Sequence, residues 1–367
     1  MKQQEKRQTM AQRLAALRDK LAAIELDGMM ITNMANLRYL TGFTGTTGAA
    51  LITRTSAFFV TDSRYTQQAY QQVAPQGFAI VENKGPLFTE ISHLLEKLQL
   101  TTLGFEADHI SFNTYDDLAD IFDVGLVPTS GIVEKLREVK DADEIGLIRE
   151  AAAIADQAYQ HILNMVHPGM TERQVANELD FYMRKLGASG VSFETIVASG
   201  ARSAMPHGVA TDKAIAPHEL VTLDFGCYYQ GYVSDLTRTF AVGEPDTELK
   251  HIYQVVLAAQ EQVIKNARAG LTGHQFDHVA RQVITAAGYG DYFGHGTGHG
   301  IGLEIHEGPM ATPNSEDVTL VDGNIITDEP GIYLLGLGGV RIEDDLLIMS
   351  SGSQVLNNAP KKELIIV

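Results

Sequence analysis

The sequence predicts a two-domain protein: a smaller α/β domain followed by a larger α+β domain built from two related halves. Three observations carry that expectation. At 367 residues the chain exceeds a comfortable single core, so two domains are expected. The first third alternates short apolar runs with amphipathic stretches. The remainder carries an internal repeat, in which a long helical stretch, a Gly-x-Thr-x-x-Gln string and a shorter helix recur in the same order.

The elements follow in order. Leu14, Leu17, Leu21 and Ile24 fall on one face of an N-terminal helix. That stretch is charged throughout and has no continuous apolar run of the kind a signal peptide needs. Strands are expected over 28–32, 49–53, 57–61, 78–82 and 102–105, and helices over 64–73, 87–98 and 114–122, which makes a layered α/β domain. Pro128, Thr129, Ser130 and Gly131 read as a turn, and a charged run follows from Glu134 to Glu144. The domains are therefore placed at 1–132 and 133–367. In the second, long helices are expected over 141–166 and 246–268. Gly169, Thr171, Gln174 and Gly187 recur at one fixed interval as Gly270, Thr272, Gln275 and Gly288. Helices then give way to strands in both halves, and a site at their seam would draw residues from each.

Composition narrows the function classes. With 28 basic and 46 acidic residues the net charge is -18, a field that repels nucleic acid and anionic membrane surfaces. Cys227 is the single cysteine, so no internal disulfide can form, as expected of a reducing cytoplasm. No stretch approaches the roughly 18 apolar residues of a membrane span.

Five side chains of metal-binding type stand out: Asp224 in LDFG, Asp235 in YVSDLTRTF, His299 in HGTGHGIGLEIHE, Glu329 in ITDEPGIY and Glu343 in VRIEDD. Four carboxylates and an imidazole form a hard, oxygen-rich set suited to two divalent cations and to making a nucleophile from water, which points to hydrolysis. The runs flanking Gln230-Gly231 alternate as strands do, so a two-residue turn there sets Asp224 opposite Thr237 and Gly226 opposite Asp235. Both aspartates then share a sheet face as diagonal neighbours, roughly 7–8 Å apart at the backbone. Glu329 and Glu343 are symmetric about Gly336, so a hairpin centred there brings them opposite each other. Pro330 favours extended backbone at Glu329, and Arg341 shares a strand face with Glu343 and is expected to orient its carboxylate. Gly294, Gly296, Gly298 and Gly300 surround the imidazoles. They miss the dinucleotide spacing GxGxxG, because three residues after Gly296 comes His299 and three after Gly300 comes Leu303. Any one of these acids could be a surface group or a salt-bridge partner, Asp235 to Arg238 or Glu343 to Arg341. Their joint placement in apolar strands argues otherwise, since an unpaired carboxylate there is strongly unfavourable.

These frames resemble those of the pita-bread metallopeptidases, the group of prolidase, aminopeptidase P, methionine aminopeptidase and creatinase, over roughly residues 135–367. NLRYLTGFTGTTGAALIT and FVTDSRYTQQA resemble the creatinase-like N-terminal domain found in aminopeptidase P and prolidase. The resemblance implies a pita-bread catalytic domain of pseudo-twofold halves, and a cytoplasmic Xaa-Pro dipeptidase or aminopeptidase acting on proline-containing di- or oligopeptides. It implies two divalent cations, manganese first, with cobalt or zinc able to substitute, holding a bridging hydroxide. By the same resemblance Asp224 binds one cation, His299 and Glu329 the other, and Asp235 and Glu343 bridge. Glu329 also carries a proton, His306 in EIHE stabilises the tetrahedral intermediate, His207 in AMPHG contacts substrate, and His295 and Arg341 belong to the pocket. A homodimer is implied, in which the N-terminal domain helps close a neighbouring pocket. Arg64 in TDSRY is open to two readings, reach into that pocket or a structural ion pair. Two other functions share the fold, a catalytically inactive peptide-binding protein and a metal-free amidinohydrolase of creatinase type; the complete ligand set weighs against both.

Overall fold

In the computed structural model, residues 9–367 are described; the charged stretch at 1–8, expected to lead into the first helix, lies outside them. Contacts divide the described residues into two compact units, 9–137 and Glu138–Val367.

The smaller unit is an α/β layer. Helix α1 (Met10–Ala23) starts at a capping box of Thr9 and Gln12 and buries Leu14, Leu17 and Leu21. Ile24 is the helix's C-cap and is half exposed, not part of the buried stripe. Strand β1 (Gly28–Ile31) leads to helix α2 (Met34–Thr41), whose N-cap Asn33 accepts from two backbone N–H groups. Strands β2 (Ala49–Thr53) and β3 (Ala57–Thr61), helix α3 (Thr66–Gln72), β4 (Ala79–Glu82), α4 (Leu87–Leu98), β5 (Thr102–Glu106), α5 (Phe112–Ile121), β6 (Gly125–Thr129) and the short α6 (Glu134–Arg137) complete it. The six strands form one mixed sheet in the order β4-β3-β2-β1-β5-β6. Two elements depart from expectation. The stretch read as a turn at Pro128 and Thr129 is the end of β6. Because β6 pairs on one side only, with β5, its other edge tolerates a residue without an N–H. Helix α2 was not anticipated. Arg64 donates twice to Asp62 (Nε–Oδ1 2.9 Å, second nitrogen to Oδ2 2.7 Å), so of its two readings the ion pair within TDSRY is the one observed.

The larger unit explains the internal repeat. Helices α7 (Ala142–Leu163) and α8 (Glu172–Lys185) recur as α9 (Thr247–Asn266) and α10 (Gly273–Ala286). The repeated Thr and Gln are capping boxes, Thr171 with Gln174 and Thr272 with Gln275, each satisfying two orphan backbone donors at a helix start. The repeated glycines hold left-handed backbone, at φ 93° and 92° for Gly169 and Gly270, which a side chain would strain.

Strands β7 (Gly190–Val191), β8 (Ile196–Ser199), β9 (Glu219–Phe225), β10 (Cys227–Tyr229), β11 (Tyr232–Val233) and β12 (Leu236–Val242) belong to the first half. The sheet β12-β9-β8 packs with α7 and α8 around Ile162, Leu179, Val221, Leu223 and Phe240. Strands β13 (Gly298–Gly300), β14 (Glu307–Ala311), β15 (Ile325–Asp328), β16 (Gly331–Leu334), β17 (Gly338–Arg341), β18 (Asp344–Met349) and β19 (Gly352–Val355) belong to the second. The sheet β14-β13-β15-β18-β19 and the pair β16-β17 share a core with α9 and α10 around Ile252, Val256, Phe276, Ile326 and Leu346. Among the described residues no helix is long and apolar enough to cross a membrane.

Candidate metal centre

The two hairpins form in the expected registers. Tyr229 pairs with Tyr232 around Gln230-Gly231, whose φ values of 48° and 89° are both left-handed, as a two-residue turn between right-twisted strands requires. Asp224 then lies opposite Thr237. Downstream, Asp328 pairs with Asp344 and Gly331 with Arg341, so Glu329 and Glu343 face each other across a gap in the ladder. In that gap their backbone N–H groups bond elsewhere. Glu343 donates to the carbonyl of Thr237 (3.1 Å) and Glu329 to that of Thr297 (2.8 Å), while Asp235 donates to Asp345 Oδ2 (3.2 Å). Each interruption stitches one hairpin to another element, and the candidate residues sit on the stitches.

His299 lies at a register shift in β13, a local bulge that re-aims a side chain. The glycines around it are required by space. A Cβ at Gly298 would lie 2.0 Å from the Thr327 carbonyl oxygen, and one at Gly300 2.2 Å from that of Gly308. The Gly300 carbonyl accepts from His299 Nδ1 (3.1 Å). The ring proton is thereby held on Nδ1, and Nε2 is left with a lone pair. That nitrogen points at Glu329 Oε1 (3.5 Å) and Asp235 Oδ2 (3.7 Å).

Asp224, Asp235 and Glu343 each bring one oxygen to within 4.8 Å of the others. Thr237 Oγ1 donates to Glu343 Oε2 (2.6 Å), Thr327 Oγ1 to Glu329 Oε1 (3.2 Å), and Arg341 to Asp224 Oδ2 (2.6 Å). Arg341 makes no direct bond to Glu343; it acts on that carboxylate through Thr237, whose Oγ1 accepts from Arg341 Nε (3.1 Å). Its long side chain reaches across to the other hairpin, and Thr237 is the residue that fixes Glu343. The salt bridge from Asp235 to Arg238 is likewise not formed, since Arg238 pairs with Asp344 (2.6 Å).

Electrostatics make this cluster costly when only protein is present. Burial, then the neighbouring Glu343 and Asp224, push Asp235 well above the ordinary carboxylate range. Burial, with Glu329 and Asp224, does the same to Glu343. Burial also raises Glu329, opposed by His295 and Arg341. Asp224 Oδ1 and Asp235 Oδ1 are buried without a hydrogen-bond partner, an arrangement that costs energy unless something else satisfies them. A divalent cation is the species that fits: the donors are hard oxygens with one imidazole, two oxygens are orphaned, and the imidazole's lone pair lies beside Asp235 and Glu329.

Three further histidines surround this cluster. The His306 ring lies 4.3 Å from that of His299, and burial, then His299, lowers its pKa. His295 accepts from the Tyr333 hydroxyl at Nε2 (2.7 Å), and its Nδ1 is 3.9 Å from Glu329 Oε2; burial lowers its pKa too. Tyr333 in turn accepts from Arg341 (2.8 Å), and burial pushes its phenol up to about 12. His207 and His295 line one open cleft with Pro206, Tyr292, Tyr333 and Leu335. The expected residues are thus brought together. Thr237, Thr327 and Tyr333 lie inside the same sequence frames, but nothing in the frames assigned them these contacts.

Fold and centre together are those of a metal-dependent hydrolase of the pita-bread class. Residues 146–350 match the model of metallopeptidase family M24 and residues 13–139 that of the creatinase/prolidase N-terminal domain; the chain belongs to this metallopeptidase family. It is similar to the structure of an Xaa-Pro dipeptidase from Bacillus anthracis, with 48% identity, a TM-score of 0.96, and 98% of this chain and 100% of that one covered. An X-Pro aminopeptidase from Thermotoga maritima aligns at 38% identity and a TM-score of 0.88, covering 95% and 99%. A Pyrococcus horikoshii protein named Xaa-Pro dipeptidase is 38% identical over 93% of this chain and 95% of its own length.

Proposed function

We propose that the chain is a dinuclear-metal Xaa-Pro peptidase that hydrolyses the bond between an N-terminal residue and a following proline in di- or oligopeptides. The observation that carries this reading is the convergence of the Asp224, Asp235 and Glu343 oxygens within 4.8 Å, buried and partly orphaned, with His299 Nε2 beside Asp235 and Glu329. The similarity to proteins named for Xaa-Pro cleavage supports the substrate class.

In this reading Asp224, Asp235, His299, Glu329 and Glu343 would hold the two cations, Asp224 on one side, His299 and Glu329 on the other, with Asp235 and Glu343 between them. Manganese suits the carboxylate-rich set, and cobalt or zinc can replace it according to supply. When bound, the cations supply an activated water and a Lewis acid for the scissile carbonyl. The protein does the rest. Glu329 holds the proton taken from the water at its carboxylate and returns it to the prolyl nitrogen. His306, kept neutral by burial, donates from its ring to the developing oxyanion. His207 positions the peptide from the cleft wall, and the faces of His295 and Tyr333 offer the prolyl ring an apolar surface. Arg341 keeps Asp224 and Tyr333 in place behind them. We further infer a cytoplasmic enzyme working as a homodimer, on the single reduced cysteine and the family resemblance.

The test is product analysis of manganese-loaded protein on Ala-Pro and on an Ala-Pro-Xaa tripeptide. Release of free alanine from the dipeptide alone defines a dipeptidase, and release from both an aminopeptidase. Cleavage of neither, with two cations bound, overturns the proposal.

A further inference from the structure

We propose that the ion pair of the buried Asp277 and the half-buried Arg281 on α10 is a positioning pair. It fixes the His299–Glu329 side of the centre and leaves the Asp224–Asp235–Glu343 side to other supports. The inference rests on the metal-centre reading above and extends it to residues that no motif singled out.

The two side chains stand one helical turn apart, so they meet on one face. Arg281 grips Asp277 with two bonds, Nε–Oδ2 2.7 Å and a terminal nitrogen to Oδ1 2.8 Å. Asp277 is 1% exposed, and a buried carboxylate needs more than one partner. Its remaining bonds come from a single residue of the glycine-rich loop: Thr297 donates to Oδ1 from both its backbone N–H (3.0 Å) and its hydroxyl (3.0 Å). Arg281 directs its other donors to the same loop, to the carbonyls of Phe293 (2.9 Å) and His295 (2.7 Å). Its guanidinium lies over the Phe293 ring at 4.3 Å, and that ring meets His295 edge-on at 5.1 Å. The pair therefore ties down positions 293, 295 and 297 of a segment whose glycines give it little stiffness of its own.

From Thr297 the constraint passes to the centre by two routes. The Thr297 carbonyl takes the backbone N–H of Glu329 at 2.8 Å. Two residues on, His299 donates its N–H to Thr327 Oγ1 (3.0 Å), whose hydroxyl donates to Glu329 Oε1 (3.2 Å). By contrast, Asp224 is held by Arg341, and Glu343 by Thr237. One centre is thus braced from two sides, and the nearer bonds of the Asp277–Arg281 pair go to the His299–Glu329 side; the link to Asp224 is longer, running through His295, Tyr333 and Arg341. A pair that only stabilised its helix would have no reason to spend four hydrogen bonds on this loop.

The test titrates metal-free, full-length protein with Mn2+ by calorimetry, in wild type and in Arg281→Met, Arg281→Lys and Thr297→Val. Wild type is expected to show two binding events. In Arg281→Met one event weakens about 10–100-fold, the usual cost of losing an outer support, while the other stays within about threefold. Arg281→Lys recovers little, because a single ammonium cannot bridge a carboxylate and two carbonyls as a guanidinium does. Thr297→Val weakens the same event by less and covers the case in which Arg281→Met fails to fold. Equal weakening of both events, or no change in any variant, overturns the inference. Fewer than two events in wild type overturns the dinuclear reading itself, and the inference with it.

Discussion

Asp235 concentrates the conflict that the centre embodies. Its carboxylate is buried, has an oxygen with no partner, and is pushed above its ordinary pKa by burial and by Glu343 and Asp224. Asp235→Asn keeps the shape and removes the charge, so stability and activity should move in opposite directions. The metal-free variant is expected to melt about 1–2 °C higher, for relief of roughly 1 kcal/mol at this size. Its manganese-supported kcat should fall by about a thousandfold or more, since a bridging ligand is lost. Differential scanning calorimetry and a peptide assay measure both, and a variant that is active or destabilised removes Asp235 from the bridging role. At His306 the expectation is different: His306→Ala should lower kcat by about 10²–10³ with both cations still bound, as for loss of one oxyanion donor. Loss of a cation in His306→Ala would instead make it a ligand. The five candidate ligands were legible because four are acids that interrupt apolar strand frames and the fifth, His299, is an imidazole set among glycines. Thr237, Thr327 and Asp277 were not. A hydroxyl or carboxylate that braces a distant residue leaves no local pattern, and strand parity, which predicts neighbours on one strand, missed that Arg341 reaches Asp224 directly and Glu343 only through Thr237.

At the scale of elements, the hairpins and the repeated caps do the positioning. Thr171 and Thr272 accept from N3 backbone donors in matching capping boxes, so Thr171→Ala and Thr272→Ala should each cost about 1 kcal/mol, and by similar amounts. Thermal or urea unfolding reads this, and a cost at only one of the two would show that the repeat is not structurally symmetric. Register was readable wherever a turn had a clear centre, at Gln230-Gly231 and at Gly336, because side-chain parity then fixes every facing pair. It was less readable where context overrides local chemistry. Pro128 suggests a turn, yet it lies in β6, which has a partner on one side only. Ile24 continues the apolar spacing of α1 but comes after the helix has ended, and so escapes burial.

At the scale of the molecule, two halves with separate cores meet along a seam of charged side chains that protein alone leaves short of partners. This has a consequence for pH. Asp235, Glu329 and Glu343 have folded-state pKa values above those of the unfolded chain. Such groups add stability that is complete below the unfolded value, near pH 4, and is lost as pH rises through the folded value. Bound cations remove that loss and themselves bind better to ionised carboxylates. The gap in Tm between manganese-loaded and metal-free protein should therefore widen steadily from about pH 5 to pH 8. A gap that is constant or narrows would mean that these carboxylates are not the groups engaged. The two-half architecture was visible in the sequence only through its caps and glycines, the positions where backbone geometry constrains residue type; the packing between the halves is long-range and had no sequence signal.

The most direct test of the central claim is anomalous diffraction from manganese-loaded crystals collected at the manganese edge. Two anomalous peaks roughly 3.5–4 Å apart are expected among Asp224, Asp235, His299, Glu329 and Glu343. A single peak, or peaks held by other side chains, would contradict it.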